Sequence, residues 1–172
     1  MMIKTRARKA MMPALLAAAL VCAGAGELPG QAPPHRGKVL VLGFHSQYIN
    51  EVQDMLLRQA VMRDFRGRGY APVPVMEVED YIQEKNFNVR NVTRASMKEL
   101  CEVFAADYSL SGSIEVRRRR LFVSLFLYQK NGDQYYNFII PMGRNSEFQR
   151  YCHGLARDIA HKADVIIRGN LK

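Results

Sequence analysis

Lys38-Val39-Leu40-Val41-Leu42-Gly43-Phe44 decides the fold. Val39 to Leu42 is a continuous apolar run, β-branched in part, closed by Gly43. A strand wet on one face alternates apolar with polar; one covered on both faces does not. The run therefore predicts a strand buried between two layers of helix.

Working outward, residues 46–66 read as a helix opened by Ser46 as its cap. Ile49, Val52, Leu56 and Ala60 form its buried stripe with Met55 beside them, and Glu51, Gln53, Arg58, Arg63 and Asp64 lie on the wet side. Gly67 and Gly69 stop it. Tyr70 to Met76 reads as a second strand. Pro72 and Pro74 remove donors from one side of it, which places it at a sheet edge, with strand addition open on the side that keeps its amides. Residues 77–85 give a short acidic helix and 86–91 a loop. Ser96-Met97-Lys98-Glu99 fits a capping box, with Met97, Leu100, Cys101 and Phe104 facing inward. Strands follow at 108–116, 121–128 and 135–142, the last two joined through Asn131-Gly132, where both residues tolerate positive φ. A second box at Ser146-Glu147-Phe148-Gln149 opens a final helix that buries Phe148, Cys152, Leu155, Ile159, Ala163 and Ile166. The order is β-α-β-(α)-α-β-β-β-α, an α/β (α+β) fold with a five-stranded mixed sheet flanked by helices. Its first and third strands pair near the centre.

The chain opens with Lys4, Arg6, Arg8 and Lys9, followed by a charge-free run from Ala10 to Gly26 and the small residues Ala23-Gly24-Ala25. This is the pattern of a signal peptide over 1–25, with an apolar core too short for a membrane span. Those four cations are the only charges in 1–25, so their removal lowers the formal charge from +9 to +5. The remaining mild basicity suits anionic envelope partners and does not by itself imply nucleic acid. Residues 26–37 carry Pro29, Pro33, Pro34, Gly30 and Gly37, and read as a disordered tether. A single domain spans 38–172. Lipid anchoring at Cys22 is disfavoured, because Val21 stands where a small residue is needed.

Ala105-Ala106-Asp107-Tyr108-Ser109-Leu110-Ser111-Gly112-Ser113-Ile114 resembles a recurrent segment of a bacterial envelope superfamily. That superfamily includes the TolB amino-terminal domain, the peptidoglycan-synthase activator LpoB, the FlgT middle domain and the CsgG periplasmic domain. The first strand with Gly43-Phe44 is similar to the family's opening, with Gly43 in place of the usual proline. The resemblance implies a TolB-N/anticodon-binding-like fold over roughly residues 38–169 and a non-enzymatic role within envelope assemblies. It transfers no binding residue.

Tests for chemistry narrow the function further. His35, His45, His153 and His161 are the only histidines, and the last two stand eight apart, two helical turns from each other. No metal site and no cofactor are expected. Ser111-Gly112-Ser113 lies within a strand rather than at a nucleophile elbow. Gly67 and Gly69 end a helix, whereas a phosphate cradle precedes one. Glu77, Glu79, Asp80 and Glu84 read as the solvated face of a short helix. Cys101 and Cys152 sit on apolar stripes, where we favour two buried thiols over a disulfide.

The sharpest surface feature is Arg117-Arg118-Arg119-Arg120, four cations that must stay hydrated or meet anions. It is either a solvated corner or a contact site for another envelope protein or an anionic cell-wall or lipid surface. His45 and Ser46, beyond the first strand, occupy the default position of a small-ligand or catalytic pocket in an α/β sheet. The expectation is an exported, periplasmic, non-catalytic adaptor that binds no nucleic acid and has no membrane span once mature. A periplasmic ligand binder or enzyme at His45 is the alternative. Oligomeric state is not readable.

Overall fold

A computed structural model describes residues 36–117, 120–141 and 148–169. All of them belong to the compact unit Pro33–Lys172. Strand β1 (Lys38–His45) leads to helix α1 (Glu51–Gly67), and strand β2 (Ala71–Pro72) to helix α2 (Val75–Glu84). A 3-10 turn (Val89–Asn91) precedes helix α3 (Arg94–Val103). Strands β3 (Tyr108–Arg117), β4 (Arg120–Gln129) and β5 (Gln134–Pro141) form a meander, and helix α4 (Phe148–Gly169) closes the fold. The five strands lie in the order β2-β1-β3-β4-β5. The pairs of β1 with β2 and β3 are parallel, and those of β4 with β3 and β5 are antiparallel. The mixed sheet and the central pairing of β1 with β3 match the sequence reading.

Period-two alternation divides the core between the two sheet faces. Val39, Val41, Leu110, Leu125 and Leu127 pack with Leu57, Val61 and Phe65 of α1 and with Ile159 and Ala163 of α4. Leu40, Leu42 and Tyr128 face the other way, against Val78 of α2 and Met97, Leu100 and Cys101 of α3. Each such fully buried Leu, Val or Phe contributes about 1.5–3 kcal/mol. Gly112 lets β3 approach closely: a Cβ there would stand 2.7 Å from Phe44 Cδ1 and 3.0 Å from Leu125 Cδ2.

The edge strand is shorter than expected. Only Ala71 and Pro72 pair as strand, and Pro74 already caps α2. The Ala71 and Val73 amides donate to the Gly37 and Val39 carbonyls. The intervening Pro72 and the following Pro74 therefore point their donorless nitrogens outward. Strand addition here, left open by the sequence, is corrected: the amides that remain already serve β1. Arg36 and Gly37, assigned to the tether by composition, are tied to the body, since Arg36 N–H donates to the Gly69 carbonyl and Gly37 accepts from Ala71.

Helix α1 is rolled relative to the expected stripe. Leu57, Arg58, Ala60, Val61, Met62 and Phe65 are buried, whereas Val52, Met55 and Leu56 are exposed. The roll brings Asp54 and Arg58 onto β1, where they bond its backbone. Caps also shift. Asn50 and Gln53 form the α1 capping box, and Thr93 with Ser96 forms that of α3. In the β4–β5 turn, positive φ falls on Gly132 and Asp133 rather than on Asn131. In α4, Ile167 is fully buried, and the expected Ile166 is partly buried against the same core. The proposed box at 146–149 lies partly outside the described residues.

Candidate functional site

Because β1 and β3 are parallel, their carboxyl ends meet at one end of the sheet. Three features gather there: the loop from His45 to Asn50, the first turns of α1, and the β3–β4 hairpin tip. Arg117 and Arg120 are facing positions of that hairpin, whereas Arg118 and Arg119 lie outside the described residues.

The β1–α1 junction is built on a scaffold of charges that the sequence reading missed. Strand β2 ends before it can cover the outer edge of β1 beyond Val39. Side chains of α1 complete that edge instead. The Phe44 N–H donates to Asp54 Oδ1 at 2.5 Å, and Arg58 donates to the Val41 carbonyl at 3.4 Å. Arg58 also pairs with Glu79 of α2, so one member of the acidic cluster serves the scaffold. Burial pushes the Asp54 carboxyl above its ordinary range, opposed by the Phe44 amide and the Arg58 guanidinium. A cue was present: Asp54 and Arg58 stand four apart and share a helix face with Leu57 and Val61.

His45 and Ser46 are placed by the same junction. A Cβ on Gly43 would lie 3.0 Å from His45 Cε1 and 3.1 Å from Asp54 Oδ2, so the bare glycine admits both groups. Ser46 does not cap α1. Its Oγ donates to the Ile114 carbonyl and accepts from the Tyr48 N–H, both at 2.9 Å, which staples the loop to β3. Ser113 is the register partner of His45, yet its Oγ donates to Glu115 at 3.3 Å, as does that of Ser124 at 3.4 Å. A nucleophile activated by histidine needs the serine proton aimed at the ring; here it is aimed at a carboxylate.

On the outer surface of this end, Tyr48, Val52, Met55 and Leu56 are all exposed, with Val52 at 60%. Met55 and Leu56 stand three and four residues on from Val52 along α1, and the three make one apolar ledge, with Tyr48 in the loop that leads into the helix. Of the stripe that the sequence assigned to the core, Ala60 is buried and Ile49 packs against the core, whereas Val52, Met55 and Leu56 lie outside it.

The opposite end holds a second buried charge. Asp164, 2% exposed, accepts from the Tyr70 hydroxyl at 2.9 Å and from Arg168 at 2.6 Å. Arg36 and Arg68 each approach it at 3.5 Å. Burial and the neighbouring carboxylate push the Tyr70 hydroxyl well up. This cluster anchors the start of β1 to α4.

Cys101 and Cys152 are free and buried, in the clusters on opposite faces of the sheet. Burial pushes the Cys101 thiol up to about 11. Among the described residues no group of histidine, cysteine or acidic side chains could hold a metal ion, and no helix is long and apolar enough to cross a membrane.

Solved structures share this architecture. The LpoB C-terminal domain from Salmonella enterica superposes with a TM-score of 0.50 at 12% identity, covering 65% of this chain and 86% of that one. The domain from Escherichia coli gives 0.50 at 11%, covering 67% and 89%. The fold is LpoB-like. TolB from Acinetobacter baumannii is similar at a TM-score of 0.47 and 16% identity, covering 77% of this chain and 29% of TolB. No protein-family model and no curated protein sequence matches the chain. Within the LpoB-like fold, the ledge on α1 and the hairpin tip sit at the carboxyl ends of the two central strands.

Proposed function

We propose that the chain is an exported, non-catalytic binding domain of a bacterial cell-envelope assembly, which holds another envelope protein through the end of the molecule where β1 meets α1. The observation that carries this reading is the ledge of Tyr48, Val52, Met55 and Leu56, exposed at the same end as the arginine-bearing hairpin. Exposed apolar residues in one patch favour a macromolecular contact, and adjacent cations favour a partner whose apolar patch has an acidic rim. The leader-like amino terminus supports export to the periplasm. The LpoB-like fold supports an envelope setting.

Catalysis at His45 has less support, because Ser46 and Ser113 are engaged with the Ile114 carbonyl and Glu115. The test is affinity capture from solubilised envelope with the wild type, a Val52→Ser/Leu56→Ser variant and an Arg117→Ser/Arg120→Ser variant. Both variants are expected to recover at least about tenfold less of the same partner while melting like the wild type. Equal recovery by both overturns the reading. A thermal shift with sugars or peptidoglycan fragments that His45→Ala abolishes would install the pocket in its place.

A further inference from the structure

The two edges of the sheet differ. The β2 edge carries Pro72 and Pro74, while β5 reads Gln-Tyr-Tyr-Asn-Phe-Ile-Ile-Pro, with no charge and no proline before Pro141. Sheet edges are normally guarded by lysine, proline, bulges or brevity. This one has eight residues, and no described residue pairs with its outer side.

The register fixes which groups are open. Gly37 and Val39 face β2. Counting alternately across β1, β3 and β4, the residues of β5 that bond β4 are Gln134, Tyr136, Phe138 and Ile140. Tyr135, Asn137 and Ile139 present their N–H and C=O groups outward, and Pro141 has no N–H.

We propose that β5 pairs with β5 of a second copy of this chain, antiparallel about a two-fold axis through Asn137. In that register Tyr135 faces Ile139 of the second copy, Asn137 faces itself, and each facing pair exchanges two hydrogen bonds. The next position sets Pro141 against Asp133. The Asp133 N–H already donates to the Lys130 carbonyl, and its carbonyl accepts from Arg94 at 2.6 Å. The ladder thus ends on both sides without stranding a donor. Side chains complement across the same axis. Tyr135 meets Ile139, which is 46% exposed, on the α3 face, and Tyr136 meets Phe138 on the α4 face. Aromatic pairs with β-branched and aromatic partners are favourable cross-strand neighbours, and no like charges oppose each other. This self-complementarity selects a second copy over an unrelated strand.

The test uses the full chain with Cys22→Ser throughout. Facing Cα atoms of a hydrogen-bonded antiparallel pair lie about 5.5 Å apart, within disulfide reach. Asn137→Cys should give a covalent dimer under mild oxidation, whereas Gln134→Cys, three residues off the axis, should not. By sedimentation at about 100 µM the unmutated β5 should be dimeric, and Asn137→Lys, which sets two ammonium groups on the axis, should dimerise at least about tenfold more weakly with an unchanged circular dichroism spectrum. A monomer at that concentration, equal dimerisation of Asn137→Lys, or equal cross-linking at Gln134 overturns the proposal.

Discussion

The Asp54 carboxylate takes the place of a neighbouring strand for Phe44, accepting its amide proton at 2.5 Å where β2 has already ended. Helix α1 thus does two tasks: it fills the core with Leu57, Val61 and Phe65, and it completes the hydrogen bonding of β1. Asp54→Ala should destabilise the domain by about 2–3 kcal/mol, because it strands the Phe44 amide, while Asp54→Asn, which keeps an acceptor, should cost about 1 kcal/mol. Urea unfolding at neutral pH measures both.

The pH dependence of the same group follows from its raised pKa. The folded chain holds the Asp54 proton more tightly than the unfolded chain, whose carboxyl titrates near 3.8. This group's contribution to stability therefore falls as pH rises from the unfolded value through the folded one, and recovers as pH is lowered. The stability advantage of the wild type over Asp54→Asn should widen as pH is lowered from 7 toward 3.8. Melting of both proteins across that window decides it, and a constant gap contradicts the assignment.

Asp164 should be the more costly charge to remove. Its carboxylate gathers Tyr70, Arg36, Arg68 and Arg168 at the start of β1. Asp164→Ala leaves a buried hydroxyl and clustered guanidiniums without their acceptor, with an expected loss of about 3–5 kcal/mol. Tyr70→Phe removes a single bond and should cost about 1–2 kcal/mol. Chemical denaturation of the two variants ranks them, and equal losses would contradict the shared-acceptor account.

Gly112→Ala should destabilise by about 1–3 kcal/mol through overpacking. The added methyl meets Phe44 and Leu125 side chains and, at 3.1 Å, the Ser124 carbonyl. A paired Phe44→Leu change relieves the closest clash and should recover part of the loss, as a double-mutant cycle would read.

Cys101 and Cys152 should remain thiols in an oxidising compartment, since the sheet separates their clusters. With its pKa near 11, Cys101 should react with a thiol reagent at pH 8 only after unfolding. A reductant should leave the melting temperature unchanged, and a reductant-sensitive melt would contradict the placement.

Much of the architecture was legible because its signals are local. Val39–Leu42 announced a doubly covered strand, the proline pair announced an edge, and the apolar spacing of α3 gave Met97, Leu100 and Cys101. The roll of α1 was not legible in its apolar residues, and its one cue was the four-residue step from Asp54 to Arg58. Val52, Met55 and Leu56 are as apolar as Leu57 and Val61, and what turned the helix was the bonding of Asp54 and Arg58 to a strand edge left bare by a two-residue neighbour. That is a tertiary demand with no mark in the periodicity. Ser46 misled for a related reason: its hydroxyl found the Ile114 carbonyl across the sheet, and Asn50 took the cap. The arginine run was visible at once, but only the topology puts its Arg117 and Arg120 positions at the same end as the ledge.

Pro72 and Pro74 have a consequence for growth. A sheet that could be extended at both margins would invite unlimited stacking into ribbons, the route by which exposed strands become fibrils. With imino nitrogens turned outward on one margin, this sheet is a dead end there, so recruitment through the other margin saturates at a single mate and polymerisation is blocked.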